Sequence, residues 1–135
     1  MIRAVSHLID DASFGGINRM LDHMSTSPAL QQRHQHRIIR VTRGQLSAPA
    51  ISADVIVSHL SINWANLPML TALRANNPGT PIIHVEHSYS QRFVAASVPR
   101  RERFETLIRT AFSLFDAVVA VSDAQFLWMR RKEFC

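Results

Sequence analysis

Cysteine is nearly missing: Cys135 stands alone at the end of the 135 residues, so no disulfide forms within the chain. That usage fits a reducing compartment. Lysine is equally scarce. Lys132 is the only one, and the formal net charge of +5 rests almost wholly on arginine. No apolar run approaches the ~18 residues of a membrane-spanning helix, and the first residues lack the apolar stretch of a secretion signal. The expected location is the cytoplasm. An arginine excess suits phosphates, nucleic acid or an anionic membrane surface, and equally an ordinary solvated face. Glycine numbers only four, yet Gly15 and Gly16 sit side by side.

What is present suffices for one domain, since 47% of the residues are hydrophobic and a single core can be buried. Five short runs carry strand character: IRAVSHLI (2–9), HRIIRVT (36–42), DVIVSHL (54–60), PIIHVEH (81–87) and AVVAVS (117–122). The last three are nearly continuous and β-branched, as strands covered on both faces are. Helical patterns alternate with them. Ile17, Met20, Leu21 and Met24 recur at i, i+3, i+4, i+7. Residues 66–76 predict a second helix, with Pro68 in its first turn and NNPGTP as its stop. In SVPRRERFETLIRTAFSLFD, Phe104, Leu107, Ile108, Ala111, Phe112 and Phe115 form one stripe, with Ser97 placed to cap the helix and Pro99 to occupy its first turn. RGQLSAPAISA (43–53) predicts a loop. The alternation implies an α/β, Rossmann-like, doubly wound parallel sheet of about five strands with helices on both faces, in the order 3-2-1-4-5.

In such sheets ligands bind at the carboxyl ends of the strands, near the switch in strand order. The polar features of this chain gather there: Gly15 and Gly16 after the first strand, then His59, Ser61 and Asn63 after the third, EHSYS (86–90) after the fourth, and Ser122 and Asp123 after the fifth. The glycine pair makes either a tight turn or a close approach of backbone N–H groups to an anion. It is neither a dinucleotide fingerprint nor a phosphate loop. His87 is a ligand contact, a general acid/base, or simply a hydrogen-bonded side chain. Tyr89 covers either a cleft or the sheet end. His84 points between sheet and helix. His34 and His36 have a loose metal-like spacing with no cysteine or carboxylate to complete a shell, so they are expected to be exposed and no metal is expected. Ser122 suits a helix cap better than a nucleophile.

The ordered set GGINRMLDHM, ADVIVSHLS, GTPIIHVEHSYS and DAVVAVSDA resembles the N-terminal, acceptor-side domain of family-4 glycosyltransferases, which have the GT-B architecture. The resemblance covers nearly the whole chain. It implies a family-4-like domain over 1–122, with 123–135 starting a helix or linker toward a donor-binding domain. It implies that Gly15 and Gly16 face the donor diphosphate, that His87 is the catalytic residue beside the transferred sugar, and that His59, Asn63, Ser88 and Tyr89 shape the acceptor pocket. The substrates would be a nucleotide sugar and a glycan or lipid-linked acceptor, with no cofactor and no metal. The paired glutamates that grip the nucleotide in that family belong to the second domain. The chain therefore reads as a truncated product, inactive by itself, or as one half of a split enzyme.

Two other readings compete. One is a non-catalytic α/β binding module that pairs with a separate donor-domain subunit. The other is a basic nucleic-acid-binding domain, against which stand the scatter of the arginines and the lack of an aromatic stacking platform, so no nucleic acid is expected as partner. Arg92, Arg100, Arg101 and Arg103 cluster about the start of the third helix. That cluster suits peripheral contact with an anionic inner-membrane surface.

Overall fold

In the computed structural model, which describes residues 3–10 and 16–134, strands alternate with helices except between the second and third strands. The strands are β1 (Arg3–Ile9), β2 (His34–Arg40), β3 (Val55–Ser58), β4 (Ile82–Glu86) and β5 (Ala117–Ala120). They form one sheet in the order β2-β1-β3-β4-β5. Every pairing is parallel. The expected Rossmann-like α/β class is therefore present, but the strand order differs from 3-2-1-4-5. β3, not β4, lies beside β1, and β2 is an edge strand. The cause lies in composition. β2 reads HQHRIIR and leaves His34, Gln35, Arg37 and Arg40 exposed, as suits the rim of a sheet. β3 reads VIVS and buries Ile56 and Ser58, as an interior strand must. The point where strand order reverses thus falls between β1 and β3, and the ligand-binding crevice of an open sheet belongs there.

Among the described residues, helices α1 (Gly16–Thr26), α2 (Pro28–Gln31), α3 (Leu67–Asn76), α4 (Gln91–Ser97) and α5 (Arg101–Phe112) lie between strands, and α6 (Asp123–Arg131) follows β5. One face of the sheet carries the main core. There Leu8, Ile56 and Ile82 meet Leu70 and Leu73 of α3, Leu107, Ile108 and Phe112 of α5, and Trp128 and Met129 of α6. Each such side chain contributes roughly 1.5–3 kcal/mol on burial. The 43–53 segment forms no helix, as expected, and closes the same core with Ala48 and Ile51. On the other face Ile9 and Leu21 of α1 are buried outside that cluster. Asn18 accepts a 2.9 Å bond from Arg40 there, tying α1 to β2.

The helix expected to begin near Ser97 is two helices. Ser97 is the last residue of α4, and Pro99 follows it instead of opening α5. Proline disfavours a helical conformation in the residue before it, and Val98 is extended at φ −108°, ψ 108°. α4 starts under its own cap, Ser90 Oγ accepting from the Phe93 N–H at 3.2 Å. Ser122 caps α6 as its type suggests, accepting from the Gln125 N–H at 3.1 Å. Among the described residues no helix is long and apolar enough to cross a membrane.

Candidate functional site at the carboxyl edge of the sheet

At the switch point Asp10 directly follows β1, with a side chain that is 1% exposed. A buried carboxylate needs donors, and three come from loops that follow other elements. Asn66 Nδ2 donates to Oδ2 at 2.8 Å, the Ser61 N–H donates to Oδ2 at 3.2 Å, and Ser61 Oγ donates to Oδ1 at 3.2 Å. Arg43 Nε lies 3.5 Å away on the solvent side. Asn66 extends the network, accepting from the Gly44 N–H at 2.6 Å and donating to the Ser61 carbonyl at 2.8 Å. Asp10 thereby clamps the 43–47 and 59–66 loops against the end of β1. The sequence reading gave Asp10 no role.

Beside this clamp runs a row of imidazoles. His36 Nδ1 and His7 Nε2 are 2.8 Å apart, His7 Nδ1 and His59 Nε2 are 3.0 Å apart, and His59 Nδ1 and His87 Nε2 are 2.9 Å apart. The register explains the contacts. His7 lies opposite Ile38 and Val57, two residues beyond His36 on β2 and two short of His59. Each ring therefore stands one strand over and two residues higher than the last, on the face that also carries Ile9. Neighbouring rings are near-parallel, at 24–28° and 5.1–5.2 Å between centroids. His7 and His59 are buried, and His36 and His87 half-buried. Burial, and then the neighbouring His36, push His7 down to about 4. Burial, and then the other histidines, push His59 down to about 3. Burial also lowers His36, with His34 adding to it. At His87 burial again dominates, with the Glu86 carboxylate partly opposing it. All four rings are neutral at pH 7.

His36, expected to be exposed, is thus drawn into a contact; His34 is exposed. His7 carried no reading at all. Two of the expected site residues, His59 and His87, do meet. Asn63 and Tyr89 also come together, lining an open groove of about 300 Å³ with Trp64, Arg100, Arg103 and Phe104. Tyr89 is held in place, its hydroxyl donating to the Ile62 carbonyl at 2.7 Å and its ring set edge-on to Phe104 at 4.9 Å. Burial, and then Glu86, raise its phenol above the ordinary range, so it stays a donor. Ser88 is exposed, and its N–H reaches Glu86 Oε2 at 3.4 Å. Glu86 itself is buried on the core face, 3.4 Å from His84 Nε2, and His84 Nδ1 is 3.1 Å from Ser58 Oγ. His84 lies between sheet and helix, as read.

Gly16 opens α1, and a Cβ built there would meet nothing within 4 Å. Its backbone is not left-handed. Neither local conformation nor crowding within the described fold demands glycine at this position. Gly15 lies outside the described residues. Among the described residues no group of histidine, cysteine, aspartate or glutamate side chains is arranged to hold a metal ion. In the imidazole row the nitrogens face one another in pairs, so only two meet at any junction.

Models of known protein families gave no match to the chain, and no curated protein matched its sequence.

Proposed function

We propose that this chain is the acceptor-side domain of a sugar-transfer enzyme of the family-4, GT-B kind, acting on a nucleotide-sugar donor gripped by a further domain. One observation carries the reading: an uncrowded helix start at Gly16, the His59–His87 pair and the Asn63–Tyr89 groove all follow the carboxyl ends of strands in one parallel sheet. The ordered motifs of the sequence support the same reading.

In this reading the N–H groups at the start of α1 approach the donor diphosphate, where a side chain would obstruct them. The groove with Asn63, Tyr89 and Trp64 takes the acceptor. The acceptor oxygen bonds to the anomeric carbon as the bond to the diphosphate breaks, and the hydroxyl proton must leave. His87, neutral at pH 7, accepts it. His59, 2.9 Å from His87, acts through that ring.

The chain supplies a helix start as its hold on the donor, and an exposed helix dipole contributes only ~0.3–1 kcal/mol. Titration calorimetry of the chain alone with nucleotide sugars is therefore expected to show dissociation constants near the millimolar range, about −4 kcal/mol. Mixing with a donor-binding domain should produce transfer, measured as sugar incorporated into acceptor. Micromolar binding by the chain alone, or no transfer with any donor domain, overturns the reading.

A further inference from the structure

Two histidines of the row, His36 and His7, have no part in the chemistry just described. We propose that His36, His7, His59 and His87 form a proton relay between the carboxyl edge of the sheet, at His87, and its outer rim, at His36. The proposal rests on the sugar-transfer reading only for the source of the proton, the acceptor hydroxyl.

The junctions carry the argument. Every one of the three joins an Nδ1 to an Nε2, never two nitrogens of the same kind. A neutral imidazole donates from one nitrogen and accepts at the other. All three bonds therefore form together only when the four rings hold the same tautomer, either every Nε2 protonated or every Nδ1. The two interior rings have both nitrogens engaged within the row. The two end rings are half-buried, so the path is insulated in the middle and reachable at both ends. A merely space-filling cluster has no need of this alternation.

The step balances. With every Nε2 protonated, a proton arrives at His87 Nδ1. The His87 Nε2 proton shifts to His59 Nδ1, the His59 Nε2 proton to His7 Nδ1, and the His7 Nε2 proton to His36 Nδ1. The His36 Nε2 proton leaves to water. One proton enters, one departs, and every ring ends neutral with its proton on Nδ1. Burial of the interior rings keeps a charge from resting there. The charged and titratable groups around the row are His34 and Arg40 on β2, Asp10 at the end of β1, and Glu86 and His84 on β4. Arg43 lies on the loop after β2, and Arg19, Asp22 and His23 on α1, all four exposed. His59, His7 and His36 act through His87 and are positioning residues.

Imidazole ¹⁵N spectra of the full chain at pH 7 test this. Expected are a single common tautomer in the four rings and scalar couplings across all three junctions. The His7 and His59 N–H protons should share one rate of exchange with water. Glutamine keeps a donor and an acceptor but passes no proton, so His7→Gln should fold, keep its melting temperature within a few degrees, and lose the common rate by roughly tenfold or more. Mixed tautomers in the wild-type chain, missing couplings, or a common rate that survives His7→Gln would overturn the relay. The wild-type spectra decide the matter even if the variant does not fold. They are independent of sugar binding: a row with these signatures in a chain that transfers no sugar with any donor domain upholds the relay and sinks the sugar-transfer reading alone.

Discussion

Asn66 Nδ2 donates to Asp10 Oδ2 at 2.8 Å, joining residues 56 positions apart in the chain. The bond closes the floor of the crevice at the strand-order switch, and both side chains are buried. Asp10→Ala strands the donors of Asn66 and Ser61 and leaves Arg43 without its carboxylate. Breaking a buried charged network from one side costs about 3 kcal/mol. Chemical denaturation should show that loss, with a smaller one for Asp10→Asn, which keeps one acceptor. Equal stability of Asp10→Ala and wild type contradicts the clamp.

Acid should weaken the fold through the histidine row. His7 and His59 titrate lower in the folded chain, near about 4 and about 3, than in an unfolded chain at 6.5. Between those values the unfolded state binds more protons, so stability falls as pH drops from 6.5 toward 4 and is level above about 7.5. Melting temperatures should decline by several degrees between pH 7 and 5. His7→Phe should flatten the decline, whatever it does to stability at pH 7. A decline of the same steepness in the variant would assign the acid sensitivity elsewhere.

Gly16→Ala separates folding from ligand approach. The added methyl meets nothing within 4 Å, and alanine favours a helix over glycine by up to ~1 kcal/mol. Stability should hold or rise slightly. With a donor domain present, affinity for the nucleotide sugar should fall about tenfold, or 1.4 kcal/mol, and Gly16→Val should cost more. Unchanged donor affinity in both variants removes the diphosphate from this helix start.

The Arg103 guanidinium sits 5.2 Å from the centre of the Trp64 ring, beside Arg100 and Phe104 in the groove lined by Asn63 and Tyr89. Trp64 is 42% exposed and Phe93 45%, which places apolar tips among the arginines. Contact with an anionic bilayer would add about 1 kcal/mol per arginine, screened by salt. Trp64 fluorescence should shift to the blue with anionic vesicles at low salt. Arg100→Glu with Arg103→Glu should abolish the shift. An equal shift with neutral vesicles rules out the electrostatic part.

Local pattern carried much of this fold. Apolar spacing marked α1 and the body of α5, Pro68 and the NNPGTP stop marked α3, short strand-like runs marked all five strands, and the side-chain chemistry of Ser122 marked the start of α6. Strand order was harder, because it depends on which strand tolerates the rim. The polar residues of β2 held that answer but had to be weighed against β3. Pro99 was ambiguous by nature, since proline both opens helices and ends the one before, and Val98 decided for the second. The candidate site was easiest to propose where one loop holds it, as at His87 and Tyr89. It was illegible where it needs register. His7 and His36 gain meaning only when β1 and β2 pair with a two-residue offset, and Asp10 only when the loop after β3 folds back upon it.

The common tautomer has an electrical consequence. Four imidazole dipoles aligned in one sense add, and passage of one proton reverses all of them together. The row then points the wrong way for a second proton from the same side. Before the next can follow, each ring must give up its Nδ1 proton and regain one at Nε2, which passage of a proton in the opposite direction accomplishes. A row of this kind has parity: it registers whether the last proton went inward or outward, in a polarisation that spans four of the five strands.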